Sequence, residues 1–141
     1  MPLSRPIIAV SCLIVGVVAG VAGAKSSYPP LEVLLSTSVS VLDQPIAYPT
    51  GTPKITAAIV TMLPKQTTGW HKHEVPLFAQ ILEGELTVDY GPHGTKVYKK
   101  DDVFVEAFKT RHNGTNTGTV PARILAVFAG SETVKNTIVE K

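Results

Sequence analysis

Gly69-Trp70-His71-Lys72-His73-Glu74 sets two histidines one residue apart, and Arg111-His112-Asn113-Gly114-Thr115-Asn116 brings a third about 40 residues later. Successive side chains of an extended strand point to opposite faces, so residues two apart share a face. If the first run is a strand, His71 and His73 aim both imidazoles at one point, and three of the chain's four histidines serve a single site. Imidazole is the commonest metal ligand among side chains. The spacing alone leaves two readings open: a metal site, or partly exposed strand and loop histidines.

Outward from this stretch the chain reads as short β-rich runs between turn residues. Glu32 to Leu42, Ile46 to Tyr48, Lys54 to Leu63, Leu77 to Leu82, Glu85 to Tyr90, Lys96 to Tyr98, Val103 to Val105 and Arg123 to Phe128 are rich in Val, Ile, Leu, Thr and aromatics. Gly, Pro, Asn or Asp bounds most of them, as strands require. Ser131 to Lys141 reads as an edge strand or an ordered tail. No stretch of useful length carries a helical period. Many short strands without helices imply an all-β sandwich or barrel, in which closure or double-sheet folding protects the edges.

Residues 1–24 stand apart. Met1 to Arg5 is short and positively charged, Ile7 to Val21 is apolar, and Ala22-Gly23-Ala24 has the small-x-small pattern of a cleavage site. The expectation is a signal peptide cleaved after Ala24 and a secreted or periplasmic protein; an uncleaved N-terminal anchor is the alternative. Cys12 is the only cysteine and lies in this segment, so the mature chain has no thiol for a disulfide, a zinc-thiolate site or nucleophilic catalysis. Residues 25–141 suffice for one domain that buries roughly two-thirds of the surface its unfolded chain exposes. The net charge of +2 is scattered among acids, which excludes a nucleic-acid footprint. Lys99-Lys100-Asp101-Asp102 reads as a solvated turn.

From Lys54 to Ala129 the chain resembles the small single-domain cupins. Their first motif is G-x5-H-x-H-x3,4-E-x6-G and their second G-x5-P-x-G-x2-H-x3-N, on two antiparallel hairpins of a double-stranded β-helix, the jelly-roll barrel. His71 and His73 occupy the paired-histidine positions, Gly84 the closing glycine, and His112 and Asn116 the end of the second motif. The resemblance implies that His71, His73 and His112 hold one divalent transition metal ion (Fe, Zn, Cu, Mn or Ni). It also implies a small-molecule ligand or substrate, dioxygenase-like chemistry and a homodimer paired through outer strands.

The departures bear on the chemistry. Leu77 stands where the family's metal-binding glutamate belongs, and Asp101, Ala107 and Lys109 replace the opening glycine, the proline and the later glycine of the second motif. Without the carboxylate, three neutral imidazoles favour zinc, copper or nickel, raise the site charge by one unit and favour an anionic or ionisable ligand. Three histidines plus water also describe a catalytic zinc site.

Glu106, six residues before His112, is the candidate replacement acid and catalytic proton acceptor, or else an exposed strand-end carboxylate. Alternation puts Glu74 and Gln80 off the site's face and Leu77, Ala79 and Ile81 on it, lining an apolar interior. Trp70 is expected to pack between sheets or in a subunit contact, with a substrate wall as the alternative. Phe78 and Phe104 read as core or interface, His93 as a surface turn histidine, and Asn116 as a turn-forming amide under the His112 loop. Asn113-Gly114-Thr115 fits the glycosylation pattern. Three functions remain: a metal-dependent enzyme on a small organic molecule, a non-enzymatic binder of metal or small ligand, and a structural jelly roll without metal.

Overall fold

Alternation of apolar and polar side chains resolves into nine strands among residues 29–140, which the computed structural model describes. They are β1 (Pro53–Met62), β2 (His71–His73), β3 (Leu77–Glu83), β4 (Glu85–Asp89), β5 (Thr95–Lys99), β6 (Val103–Val105), β7 (Asn113–Thr115), β8 (Ala122–Ser131) and β9 (Thr137–Val139). The described residues contain no α-helix, only a 3-10 turn at Gly91–His93. The expected signal segment, its cleavage after Ala24 and Cys12 lie outside the described residues.

One sheet runs β1-β8-β3-β6, with all pairs antiparallel. The other is built from β5-β4-β7 and the pair β2-β9. Backbone bonds from Thr68 N–H to the Gly114 carbonyl (2.9 Å) and between His71 and His112 join those two pieces into a second layer. Buried residues from both layers meet in one core, including Met62, Ile81, Val88, Tyr98, Phe104 and Ile124. Tyr98 and Phe104 stack at 3.8 Å across it. The all-β jelly roll expected from the strand pattern is therefore the fold.

Three local expectations change. Glu32 to Leu42 and Ile46 to Tyr48 have strand-like composition but form no ladder; only Val39 makes an isolated bridge, to Pro45. Val33 and Leu34 are exposed. Strand propensity expresses packing against a partner, and this segment finds no strand to pair with; Val41 and Leu42 pack against the core, and single bonds such as Val41 N–H to the Val105 carbonyl and Lys96 Nζ to the Val41 carbonyl attach it. Conversely, Asn113–Thr115 lacks strand composition yet pairs with β4 as β7, because the tertiary ladder supplies what propensity does not. The C-terminal edge strand narrows to β9, while β8 extends through Ser131.

Turn residues fix how closely the layers approach. Gly84, between β3 and β4, has φ of +75°, and a Cβ there would lie 2.6 Å from the Pro121 carbonyl oxygen. Asp101 and Lys109, which replace glycines of the second motif, keep the left-handed backbone that glycine suits, at φ of +75° and +56°. Each carries strain of about 1–2 kcal/mol for a side chain in that region. Gly84→Ala should lower unfolding stability by more than about 2 kcal/mol. Lys109→Gly, at an exposed position, should raise it by about 0.5–1 kcal/mol, the relieved strain less glycine's entropy penalty. Urea midpoints check both.

Candidate metal centre

β2 is only three residues long, but its alternation turns His71 and His73 inward and Lys72 outward. Lys72 lies 3.8 Å from Glu74 and 3.7 Å from Glu140, so Glu74 belongs to the outer face. His112 reaches the same point through the backbone. Its N–H donates to the His71 carbonyl (2.8 Å), and the His71 N–H donates back (3.0 Å). Between the Thr67–Thr115 and His71–His112 bridges, the first strand carries one extra residue. Gly69, at φ of +74°, sits in that excess.

The three rings form a triangle with centroids 4.9 Å (His71–His73), 4.5 Å (His71–His112) and 5.0 Å (His73–His112) apart. One nitrogen from each lies within 4.8 Å of the others. The opposite nitrogens are held by backbone carbonyls. His71 Nδ1 meets the Gly69 carbonyl at 2.9 Å, His112 Nδ1 the Thr110 carbonyl at 2.8 Å, and His73 Nδ1 the Asn136 carbonyl at 3.2 Å and Thr137 Oγ1 at 3.1 Å. A carbonyl only accepts, so each Nδ1 carries the proton and each Nε2 keeps its lone pair. Burial lowers all three pKa values. His73 falls to about 3, through burial first and then the neighbouring imidazoles of His112 and His71. The cluster is neutral at physiological pH.

His112 Nε2 is buried and has no hydrogen-bond partner. Such an orphan is uncommon in a folded protein and asks for an occupant. Three neutral lone pairs held by carbonyls at their far sides form a donor set that could hold a metal ion, with the outer hydrogen bonds such ligands normally carry.

The rings open on a cavity of about 250 Å³. Leu77 and Ala79 line it as alternation required, and Ile81 is fully buried on the same face. Glu106 is buried at its wall, not exposed at a strand end. Its N–H donates to the Leu77 carbonyl at 2.8 Å, extending the ladder that pairs Phe78 with Val105. Glu106 therefore sits directly across from the position at which the first motif would place its glutamate. Its Oε1 accepts from the Tyr90 hydroxyl and from the Ala107 N–H, both at 2.7 Å. Tyr90 in turn contacts the Tyr98 hydroxyl at 3.0 Å. Burial pushes the Glu106 carboxyl up to about 7, against the Tyr90 and Ala107 donors, which favour the ion. Burial raises both tyrosines as well, so they stay neutral hydroxyls.

Tyr90 was not marked by sequence reasoning. It continues the inward parity of Leu86 and Val88 on β4, and that parity with a hydroxyl at its end was the available signal. Asn116 is more than a turn amide: fully buried, it donates to the Met62 and Val120 carbonyls at 2.8 Å each and accepts from Gly118 at 2.9 Å. Trp70 does not line the cavity; the Arg111 guanidinium covers its ring at 4.5 Å. Phe104 is core and lines the cavity, whereas Phe78 is half-buried on the other face. His93 lies exposed in the 3-10 turn, away from the cluster.

Solved structures share this arrangement of strands. Lactobacillus farciminis oxalate decarboxylase, in its formate complex, aligns with 24% identity and a TM-score of 0.52 over 60% of this chain and 26% of its own. An oxalate oxidase aligns with 20% identity and a TM-score of 0.52 over 60% and 45%. Bacillus subtilis oxalate decarboxylase, an enzyme with Mn(II) centres, aligns with 22% identity and a TM-score of 0.50 over 60% and 23%. The chain thus spans less than half the length of these proteins, and at these identities the likeness is one of fold. No curated protein matches the chain in sequence. The cupin domain family matches residues 58–128, just over half of the chain, and this region holds both histidine motifs and six complete strands of the jelly roll. With fold, motifs and family in agreement, the chain belongs to the cupin domain family.

Proposed function

We propose that this chain is an exported metal-binding cupin that acts on a small organic molecule, with one divalent transition metal ion held by His71, His73 and His112. The observation that carries the reading is the buried, partnerless Nε2 of His112 beside two other neutral imidazoles. Export to a periplasm or the medium rests on the N-terminal sequence alone. Neutral imidazoles suit zinc, copper, nickel and iron, and Mn(II) in the Bacillus subtilis structural neighbour adds manganese. When bound, the ion supplies Lewis acidity and, for a redox-active metal, the electron transfer that the dioxygenase-like chemistry of the resemblance requires.

The chain's own residues would do the rest. The apolar wall excludes water, and the Gly69, Thr110 and Asn136 carbonyls hold the rings in the ligating tautomer. Glu106 would exchange a proton with the bound molecule. Its Oε1 already accepts two donors, so the exchanging oxygen is Oε2, and a carboxyl with a pKa of about 7 serves as acid or base near neutral pH. Ala107 is part of this device, because a proline at that position, as in the family motif, has no N–H to give. The second reading is a non-enzymatic binder of metal or small ligand. It is favoured by Leu77 at the usual carboxylate position and by the scarcity of polar anchors in the cavity.

Elemental analysis of the purified chain should give about one transition metal per chain, with His71→Ala and His112→Ala each losing most of it. Metal-free preparations after reloading under reducing conditions would defeat the proposal. Glu106→Gln should retain metal and lower turnover by about 10²–10⁴-fold, read as oxygen consumption over a panel of small organic acids and diketones. Metal uptake without any turnover would select the binding reading.

Stability against pH gives a separate check on the metal-free chain. Imidazoles that protonate at 6.5 when unfolded but resist when folded, His73 down to about 3, make stability fall as pH drops below 6.5. Glu106 holds its proton up to about 7 when folded against 4.5 unfolded, so its contribution rises as pH drops from 7 to 4.5. The two effects oppose each other from 6.5 to 4.5, and only the imidazole loss continues below. Urea midpoints should therefore fall more steeply with acid between pH 6.5 and 4.5 in Glu106→Gln than in the parent.

A further inference from the structure

The cavity wall selects the kind of molecule that reaches the three histidines, and this inference rests on the metal-binding reading above. Among the described residues, its polar lining is confined to Thr68, His71, His73, Glu106, His112 and Thr137. Thr68 Oγ1 is already engaged, donating to the Gly69 carbonyl at 2.9 Å, while Thr137 Oγ1 accepts from His73 Nδ1 at 3.1 Å and keeps its own hydroxyl proton beside the cluster. What remains to receive a ligand's polar atoms is the cluster of imidazole Nε2 atoms with the ion they would hold and, beside it, Glu106 Oε2 and the Thr137 hydroxyl. All other lining residues are apolar or glycine, and no lysine or arginine is among them. Val60 and Val139 line the cavity and are also solvent-exposed, so the rim is apolar too.

From this distribution we propose that the cavity binds monobasic organic acids, with a single ionised oxygen group at the histidine cluster and Glu106 and an apolar body against the opposite wall. An apolar cavity of about 150 Å³ takes benzene, so about 250 Å³ takes a ligand of about ten non-hydrogen atoms. A second carboxylate on such a body would be driven into a wall without a cation or a free donor, where a buried charge is unfavourable. Oxalate, handled by the decarboxylase and oxidase of similar fold, has no apolar body and leaves that wall unfilled. The fold is shared with those enzymes, while the lining here fits a different class of acid.

Calorimetric titration of the full zinc-loaded chain with benzoate, phenylacetate, succinate and glutarate tests the assignment. The monobasic pair should bind at least about 100-fold tighter than the dibasic pair. Ala126→Leu, which fills the wall, should weaken benzoate by about tenfold or more with zinc content unchanged. Val60→Lys, at the exposed rim, should narrow the gap to succinate by supplying the missing cation. A zinc-loaded chain that binds succinate as tightly as benzoate, or that binds benzoate undiminished in Ala126→Leu, overturns the inference and leaves the metal reading standing. A chain that takes up none of zinc, copper, nickel, iron or manganese overturns both.

Discussion

The reciprocal pair of backbone hydrogen bonds between His71 and His112, at 3.0 and 2.8 Å, is the constraint on which the site depends. Two short segments far apart in sequence carry the clustered imidazoles, and neither is long enough to be stable alone. Pairing them joins β2-β9 to β5-β4-β7, completes the second layer and brings two rings to 4.5 Å. Assembly of the cluster and closure of the barrel are thus one event. The N-terminal segment braces it from outside: Gln44 Nε2 donates to the Phe108 carbonyl at 2.8 Å and to Thr110 Oγ1 at 3.0 Å. Thr110 is the residue whose carbonyl fixes the His112 ring.

The departures from the cupin motifs form a connected set once placed in space. Leu77 removes a carboxylate from β3, and Glu106 provides one on the adjoining strand at the directly opposed position. Ala107, in place of a proline, supplies an N–H to Glu106 Oε1, and Tyr90 supplies the second donor. The buried acid at this end of the cavity thus lies one strand over from the motif position, with its own pair of donors. At 106 the carboxylate is held by two donors on one oxygen, which leaves the other to face the cavity.

The histidine cluster was legible because alternation is a hard geometric rule and a two-residue spacing survives even in a three-residue strand. The same rule placed Leu77 and Ala79 on the cavity wall and Glu74 off it. Less legible were features decided by partners distant in sequence. Val33 and Leu34 look like strand residues but have no edge to join, whereas Asn113-Gly114-Thr115 looks like a turn and becomes β7 because β4 offers one. Tyr90 escaped notice because its hydroxyl matters only through Glu106, on another strand. Asp101 and Lys109 show the limit of reading a motif by identity, since the left-handed backbone persists although the glycines do not.

Burying three neutral imidazoles around one point is unfavourable for the empty fold. Their inward nitrogens give up water, and His112 Nε2 receives nothing in return, a loss of about 1–3 kcal/mol for a group of this kind. The outer carbonyl bonds offset part of it by satisfying each Nδ1, and they also keep the rings from turning their lone pairs toward other partners. An ion at the cluster would recover the remainder, so binding free energy there would appear directly as folding free energy. The apolar wall strengthens the coupling at His112, whose Nε2 it leaves without any other partner, and an ion there would offer its outward positions to a ligand. The cost to the empty fold and the readiness of the cluster for an ion therefore share one physical origin, the burial of a polar nitrogen in the hydrophobic interior of the barrel.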